Sequence, residues 1–368
     1  MDLSLSSDQE ALRASARSLL REKAPVDDVA IVSQSVSGYD EDLHAMLISL
    51  GWASLGLTDE DSSLIDLGVV LTELGYHATP SPLSMSVCAG LILKMAGSPT
   101  HALIEQVAAG RNVAIVNEPQ LATQTCGRQS LLTGDAVGVE WAEAAATYLV
   151  ITGSLQKHIW IVDRDQSVSV HRQESMDNVR LGRVSFDQSP ADGPITVSAS
   201  QWREIHHLVR LIRAVDLLGI TERVTEMATS HVKEREQFGR PLAMFQAVQH
   251  HLSNMAIKAN GSRTMIYHAL WRYSVGLPYE RHAAMAAWFA GEATVDATQM
   301  SNQLHGGIGF MKEFHLHHFF HRAIAQRSRM GTESERLCDL GDVVIEAAQR
   351  DYHQEFAEWP VQNEHAFA

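Results

Sequence analysis

Sulfur for cross-linking is scarce: Cys88, Cys126 and Cys338 are the three cysteines in 368 residues, far apart and odd in number. That excludes the disulfide framework of a small secreted domain and gives no thiolate metal site. Long apolar runs are missing too. Nothing approaches the roughly 18 uninterrupted apolar residues of a membrane-crossing helix. The opening MDLSLSSDQEALRA has neither the basic nor the apolar stretch of a secretory leader, so a cytoplasmic location is expected. Positive charge is in deficit: 29 Lys+Arg stand against 44 Asp+Glu, a formal charge of −15, which argues against nonspecific binding to nucleic acid or anionic lipid. What remains, 45% hydrophobic and 20% charged, is the composition of a globular chain with room for two or three domains.

Residues 1–112 read as short helices with apolar positions three and four apart. Ser7 and Glu10 are spaced as a capping box before Leu12, Ala16 and Leu19. Further stripes run through Leu43, Met46, Leu47 and Leu50, and through Leu64, Leu67, Val70, Leu71 and Leu74, with Gly51, Gly75, Pro80 and Pro82 between them. Over 113–198 the period changes to strand-like runs, VAIVNE, TYLVITG, HIWIVDRD, SVSVHRQ and VRLGRVSFD, which predict a small β domain. Long helical patterns return over 199–349, and 350–368 reads as a surface or interface tail. Residues 1–112 carry 6 basic and 15 acidic groups, whereas 199–368 carry 17 and 19. The arginines of this last, nearly neutral region are therefore the candidates for holding phosphate.

Two segments there are more specific. Arg235-Glu236-Gln237-Phe238-Gly239-Arg240-Pro241-Leu242, continuing to Gln249, joins two long helical patterns through a Phe-Gly-x-Pro turn. Gln303-Leu304-His305-Gly306-Gly307-Ile308-Gly309-Phe310 puts a glutamine ahead of a glycine turn at a helix end, and Gly331-Thr332 precedes an acidic helix. Together, and in a helix–strand–helix order, they resemble the acyl-CoA dehydrogenase family. The resemblance is strong over about 199–345, weaker in the β region and loose at the N-terminus. It implies an α+β fold with an N-terminal helical domain, a small β-barrel-like middle domain and a C-terminal four-helix bundle. It also implies FAD-dependent α,β-desaturation of a CoA thioester, in which a carboxylate takes the α-proton and the flavin accepts the β-hydride. In the family the C-terminal segments reach across a subunit interface to the adenosine and diphosphate end of FAD. Carried over, that implicates Arg235, Gln237, Phe245, Gln246, Gln303, Gly306 and Gly307 as cofactor contacts. An arginine at a helix–turn junction suits a diphosphate, and glycines let backbone N–H groups approach it.

The chain departs from the family at the catalytic base. Met330 stands before Gly331-Thr332, where many members have glutamate, and Val209 stands beside Arg210, where a minority place it. Neither side chain takes a proton, so no catalytic residue is expected. The β region keeps Asn117-Glu118-Pro119, but Gln-Leu-Ala-Thr-Gln-Thr follows instead of a glycine loop, and Trp141 lies in an Ala/Glu-rich stretch. This combination resembles the non-catalytic subunit of bacterial heterotetrameric (α2β2) acyl-CoA dehydrogenases. The resemblance implies a related catalytic partner that holds most of the acyl-CoA, an FAD shared at the interface, an electron-transfer flavoprotein-like acceptor and a steroid side-chain thioester as substrate class. Two other readings stay open. One is an active homo-oligomer with a displaced base such as Glu333, and the other is a non-enzymatic acyl-CoA or protein-binding scaffold. His315, His317, His318 and His321 include i,i+3 and i,i+4 pairs without a neighbouring cysteine or carboxylate cluster, so they read as neutral surface or interface histidines and no metal is expected.

Overall fold

A computed structural model describes residues 4–58, 63–97, 101–118, 120–126, 129–154 and 156–357, with helices at both ends of the chain and a sheet between them. The N-terminal helices are α1 (Ser7–Lys23), α2 (Val29–Gln34), α3 (Glu41–Ser49), α4 (Leu64–Tyr76), α5 (Leu83–Met95) and α6 (His101–Ala108). The capping box of α1 lies one residue earlier than the pattern predicts. Gln9 N–H donates to Ser6 Oγ at 3.2 Å, and Ser6 N–H donates to Gln9 Oε1 at 3.0 Å.

The strands are β1 (Val113–Asn117), β2 (Ala122–Cys126), β3 (Gln129–Glu140), β4 (Thr147–Thr152), β5 (Lys157–Asp163), β6 (Val168–Gln173) and β7 (Leu181–Val197). They follow the order β1-β4-β5-β7-β3-β2, with β6 also on β7. β1 and β4 are parallel and every other pair in this sheet is antiparallel. The 17-residue β7 serves both halves: Leu181–Phe186 pairs with β3 and β6, and Asp192–Val197 pairs with β5. Five of the seven strands follow the sequence runs, but β2 and β3 do not. Their apolar residues are interrupted by Thr, Gln and Gly, and among its described residues β3 buries only Leu132, Ala136 and Val139, at irregular spacing around register shifts. Tyr148, Trp160, Val184 and Phe186 fill the sheet's own core, with Tyr148 edge-on to Phe186 at 5.9 Å.

The C-terminal helices are α7 (Ala199–Glu234), α8 (Gln246–Ser274), α9 (Glu280–His305), α10 (Leu316–Arg329) and α11 (Glu333–Ala357), with a two-strand hairpin, β8 (Glu236–Gln237) and β9 (Arg240–Pro241), between α7 and α8. One apolar core, including Leu67, Leu71, Leu217, Leu218, Ile266 and Leu270, joins α4 to α7 and α8. Glycines set how closely α4 and α7 approach. A β-carbon on Gly219 would lie 2.0 Å from Thr72 O, and one on Gly75 would lie 2.2 Å from Asp216 O. Any larger residue at either position pushes the N-terminal helices off the bundle. Among the described residues no helix is long and apolar enough to cross a membrane.

Candidate functional site

The residues singled out in the C-terminal motifs gather at one end of the bundle. Arg235 ends α7, and Leu242 N–H donates to its carbonyl at 2.8 Å, closing the β8–β9 turn. Phe238 and Gly239 form that turn with φ of 55° and 77°. The Phe238 ring is 91% exposed and meets Phe245 edge-on at 6.1 Å, while the Arg240 guanidinium lies 4.1 Å above the Phe245 ring. Gln246 begins α8, and its N-cap, Phe245, supplies no side-chain bond to the first N–H groups. The second motif arrives because His231, in the last turn of α7, stacks on His305, the final residue of α9, at 4.4 Å. His305 is fixed by Ser301 O at 2.7 Å, and Gly306 follows with φ of 64°.

This end of the molecule has free polar capacity. Arg235, Gln237, Gln246, Gln303, Gly306 and Gly307 are exposed, and Phe245 is half-buried. Gln237 Nε2 donates to the neighbouring Glu236 carbonyl at 2.8 Å. The Arg235 guanidinium has no ion-pair or hydrogen-bond partner among the described residues. A β-carbon on Gly239, Gly306 or Gly307 would meet nothing within 4 Å, so these backbones face open space. An unpaired guanidinium, an uncapped helix start and glycine backbones open to approach fit the anionic diphosphate of a dinucleotide. FAD supplies hydride acceptance when bound, and these are the residues of this chain that would hold its phosphate end.

A second site lies between α5, α7 and the sheet. It is a cavity of about 170 Å³ with apolar walls from Met85, Ile92, Ile115, Ile151, Val209 and Trp202. Its polar side is formed by Asn117, Glu140, His206, Arg210, Arg213 and Arg329. The charges are largely consumed internally. Arg213 donates to Glu140 Oε1 and Oε2 at 2.5 and 3.3 Å and to Gln326 at 2.9 Å. Arg329 donates to both oxygens of the buried Asp177 at 2.6 and 3.0 Å and lies 3.6 Å from Glu140. Burial alone would raise the Glu140 carboxyl, but Arg213 and Arg329 hold it below its ordinary range. Burial and then Arg210 bring His206 down to about 4, so its ring is neutral at pH 7. The sequence offered no signal for this network, because its partners come from β3, the β6–β7 connection, α7 and α10.

Neither expected base position holds a base. Met330 is 1% exposed and packs in the helical core, whereas Val209 lines the cavity. Glu335 caps α11: its carboxylate accepts from Thr332 N–H and Oγ1–H, both at 2.8 Å, and the backbone bond holds its pKa down. Glu333 opens the same helix on the exposed surface. Neither glutamate is among the residues lining the cavity. The cavity is below the roughly 300 Å³ at which ordinary ligand pockets begin. The fused rings of a flavin do not fit it.

Residues 203–341 match the family described as Acyl-CoA dehydrogenase, C-terminal domain. This C-terminal part of the chain carries the acyl-CoA dehydrogenase C-terminal domain. Acyl-CoA dehydrogenase IpdE2 of Mycobacterium tuberculosis is 28% identical over 346 residues, covering 92% of this chain and 98% of that protein. A variant of the Tcur3481-Tcur3483 steroid ACAD superposes with a TM-score of 0.84 at 26% identity, over 94% of this chain and all of the matched chain. The ChsE4-ChsE5 complex from Mycobacterium tuberculosis shares the fold, with a TM-score of 0.83 at 23% identity over 94% of this chain and 99% of its own. The family is FAD-dependent, and the expected α+β fold is the one observed.

The histidines on α10 pack among themselves and their neighbours. His317 and His318 rings are 4.0 Å apart, His315 Nε2 lies 2.9 Å from Asp27, and His318 Nδ1 is 3.1 Å from Asn178. Among the described residues no group of three or more His, Cys, Asp or Glu is placed to hold a metal ion. Pro119 and Trp359-Pro360 lie outside the described residues.

Proposed function

We propose that this chain is the non-catalytic subunit of a heteromeric FAD-dependent acyl-CoA dehydrogenase. In this reading it offers Arg235, Gln237, Phe245, Gln246, Gln303, Gly306 and Gly307 to an FAD held mainly by a related partner, which supplies the base and most of the acyl-CoA contacts. The observation that carries the reading is the contrast between the chain's two sites. The inner cavity has Met330 buried away from it and its arginines paired to Glu140 and Asp177, while Arg235 at the outer end is unpaired. A guanidinium without a local carboxylate is available to a phosphate from outside. The Tcur3481-Tcur3483 steroid ACAD among the similar structures, at 26% identity, supports a two-chain assembly and a steroid-derived thioester; in this reading electrons leave to a flavoprotein acceptor.

The test is native mass spectrometry of the chain alone and co-expressed with a related subunit carrying the base. An α2β2 mass with two FAD is expected, and Arg235→Ala in this chain should lower flavin retention tenfold or more, since a charge-assisted bond is worth about 1.5–3 kcal/mol. A flavin-loaded assembly of this chain alone, or FAD content indifferent to Arg235→Ala, overturns the proposal.

A further inference from the structure

The β8–β9 hairpin turns at Phe238 and Gly239 and sorts its side chains by face. Gln237 stands directly opposite Arg240, and Glu236 opposite Pro241. Arg235 continues the first strand with extended φ and ψ of −76° and 120°, and its carbonyl accepts from Leu242 N–H at 2.8 Å. Residues directly opposite each other share a face of such a ribbon, as do residues two apart along one strand. Arg235, Gln237 and Arg240 therefore lie on one face and Glu236 on the other. Arg235 and Arg240 are diagonal neighbours across the hairpin, with backbones about 7–8 Å apart.

Arg240 is exposed, and among the described residues its guanidinium has neither a hydrogen bond nor an ion pair. It rests 4.1 Å from the centre of the Phe245 ring. A ring in that position covers one face of the guanidinium without neutralising it and leaves its in-plane N–H donors free. The chain has 44 Asp+Glu for 29 Lys+Arg, so two unpaired guanidiniums side by side do not come from a shortage of carboxylates. Like charges on one face of a ribbon repel, and an external anion with two charges relieves that repulsion. The diphosphate of a dinucleotide carries one negative charge on each phosphate, and two forked cations match it.

We infer that Arg240 is a second phosphate-binding residue of the outer site. It takes one phosphate of the FAD diphosphate while Arg235 takes the other, and Phe245 positions its guanidinium. This rests on the shared-flavin reading of that site and adds to it a residue that the C-terminal motifs alone do not single out.

The test uses the assembly purified with the base-carrying subunit. FAD dissociation on dilution is followed by flavin fluorescence at about 50 mM and about 500 mM salt, where the screening lengths differ roughly threefold. Arg240→Gln should weaken FAD retention about tenfold or more at low salt and should flatten the salt dependence, since one of two screened charges is gone. Arg240→Lys keeps the charge and should keep the salt dependence of the native assembly. A packing role would instead weaken retention equally at both salt concentrations, and that result overturns the inference. Retention that survives Arg240→Gln but falls in Arg235→Ala overturns the inference and leaves the shared-flavin reading standing. Retention indifferent to both substitutions overturns that reading and the inference with it.

Discussion

The thioether methyl of Met330 lies 3.2 Å from the point where a β-carbon on Gly291 would sit. The side chain thus occupies the groove that the missing Gly291 side chain leaves on α9, and Met330 is 1% exposed. A residue at the family's usual base position is here a packing residue between α9 and the end of α10. Met330→Glu should therefore lower stability by roughly 2–5 kcal/mol, from lost apolar burial and a partly dehydrated carboxylate, without producing desaturase activity in the chain alone. Urea unfolding and an acyl-CoA-dependent dye-reduction assay check both halves. A stable variant that reduces the dye unaided would return the chain to the catalytic class.

Glu140 ties the sheet to the bundle. Its carboxylate takes two bonds from Arg213 and stands 3.6 Å from Arg329, with side-chain exposures of 12%, 11% and 15% for the three residues. Glu140→Ala leaves two buried guanidiniums sharing less negative charge, and a cost of about 3–5 kcal/mol is expected. The guanidinium chloride midpoint reads this directly. A shift smaller than that of an ordinary surface substitution would mean that solvent already screens the pair.

Much of this architecture was legible because the helices are long and periodic. The stripe from Leu64 to Leu74 became α4, and the long helical patterns over 199–349 became α7 to α11. The strands β2 and β3 were not legible, since register shifts around Gly134 and Val139 break the alternation on which strand reading depends. At the site, the absence of a base at Met330 and Val209 was visible as residue type alone. The pairing of Arg213 with Glu140 was not, because 73 positions of chain separate the two and no local pattern encodes such a contact. Likewise the stacking of His231 on His305 is a product of helix packing, and it is what sets the two C-terminal motifs side by side.

Thr332 and Glu335 form a capping box on α11, with Glu335 N–H also donating to Thr332 Oγ1 at 3.3 Å. That role separates them from chemistry. Thr332→Ala should cost about 1 kcal/mol of stability by removing the cap. Flavin content of the assembly should not change. Thermal unfolding together with flavin absorbance distinguishes this from a catalytic glutamate, whose disturbance would alter turnover at unchanged stability.

Mild acid should weaken the fold. His206 and His207 sit side by side on α7, and burial, followed by the positive charge of Arg210, lowers each from 6.5 to about 4. The folded chain thus keeps both rings neutral while the unfolded chain begins to protonate them near 6.5. The sign follows: the unfolded state binds more protons between the two values, so this contribution to stability is complete above pH 6.5, falls as pH drops towards 4, and is constant below. The loss is on the order of 1 kcal/mol per pH unit for each ring within that window. Glu140, held below its ordinary range, adds a separate loss at lower pH as it protonates. Urea midpoints measured from pH 7 to pH 5 should therefore decline, and the decline should be shallower in a His206→Gln, His207→Gln double variant. Equal slopes in the two proteins would show that neither ring is kept neutral by the fold.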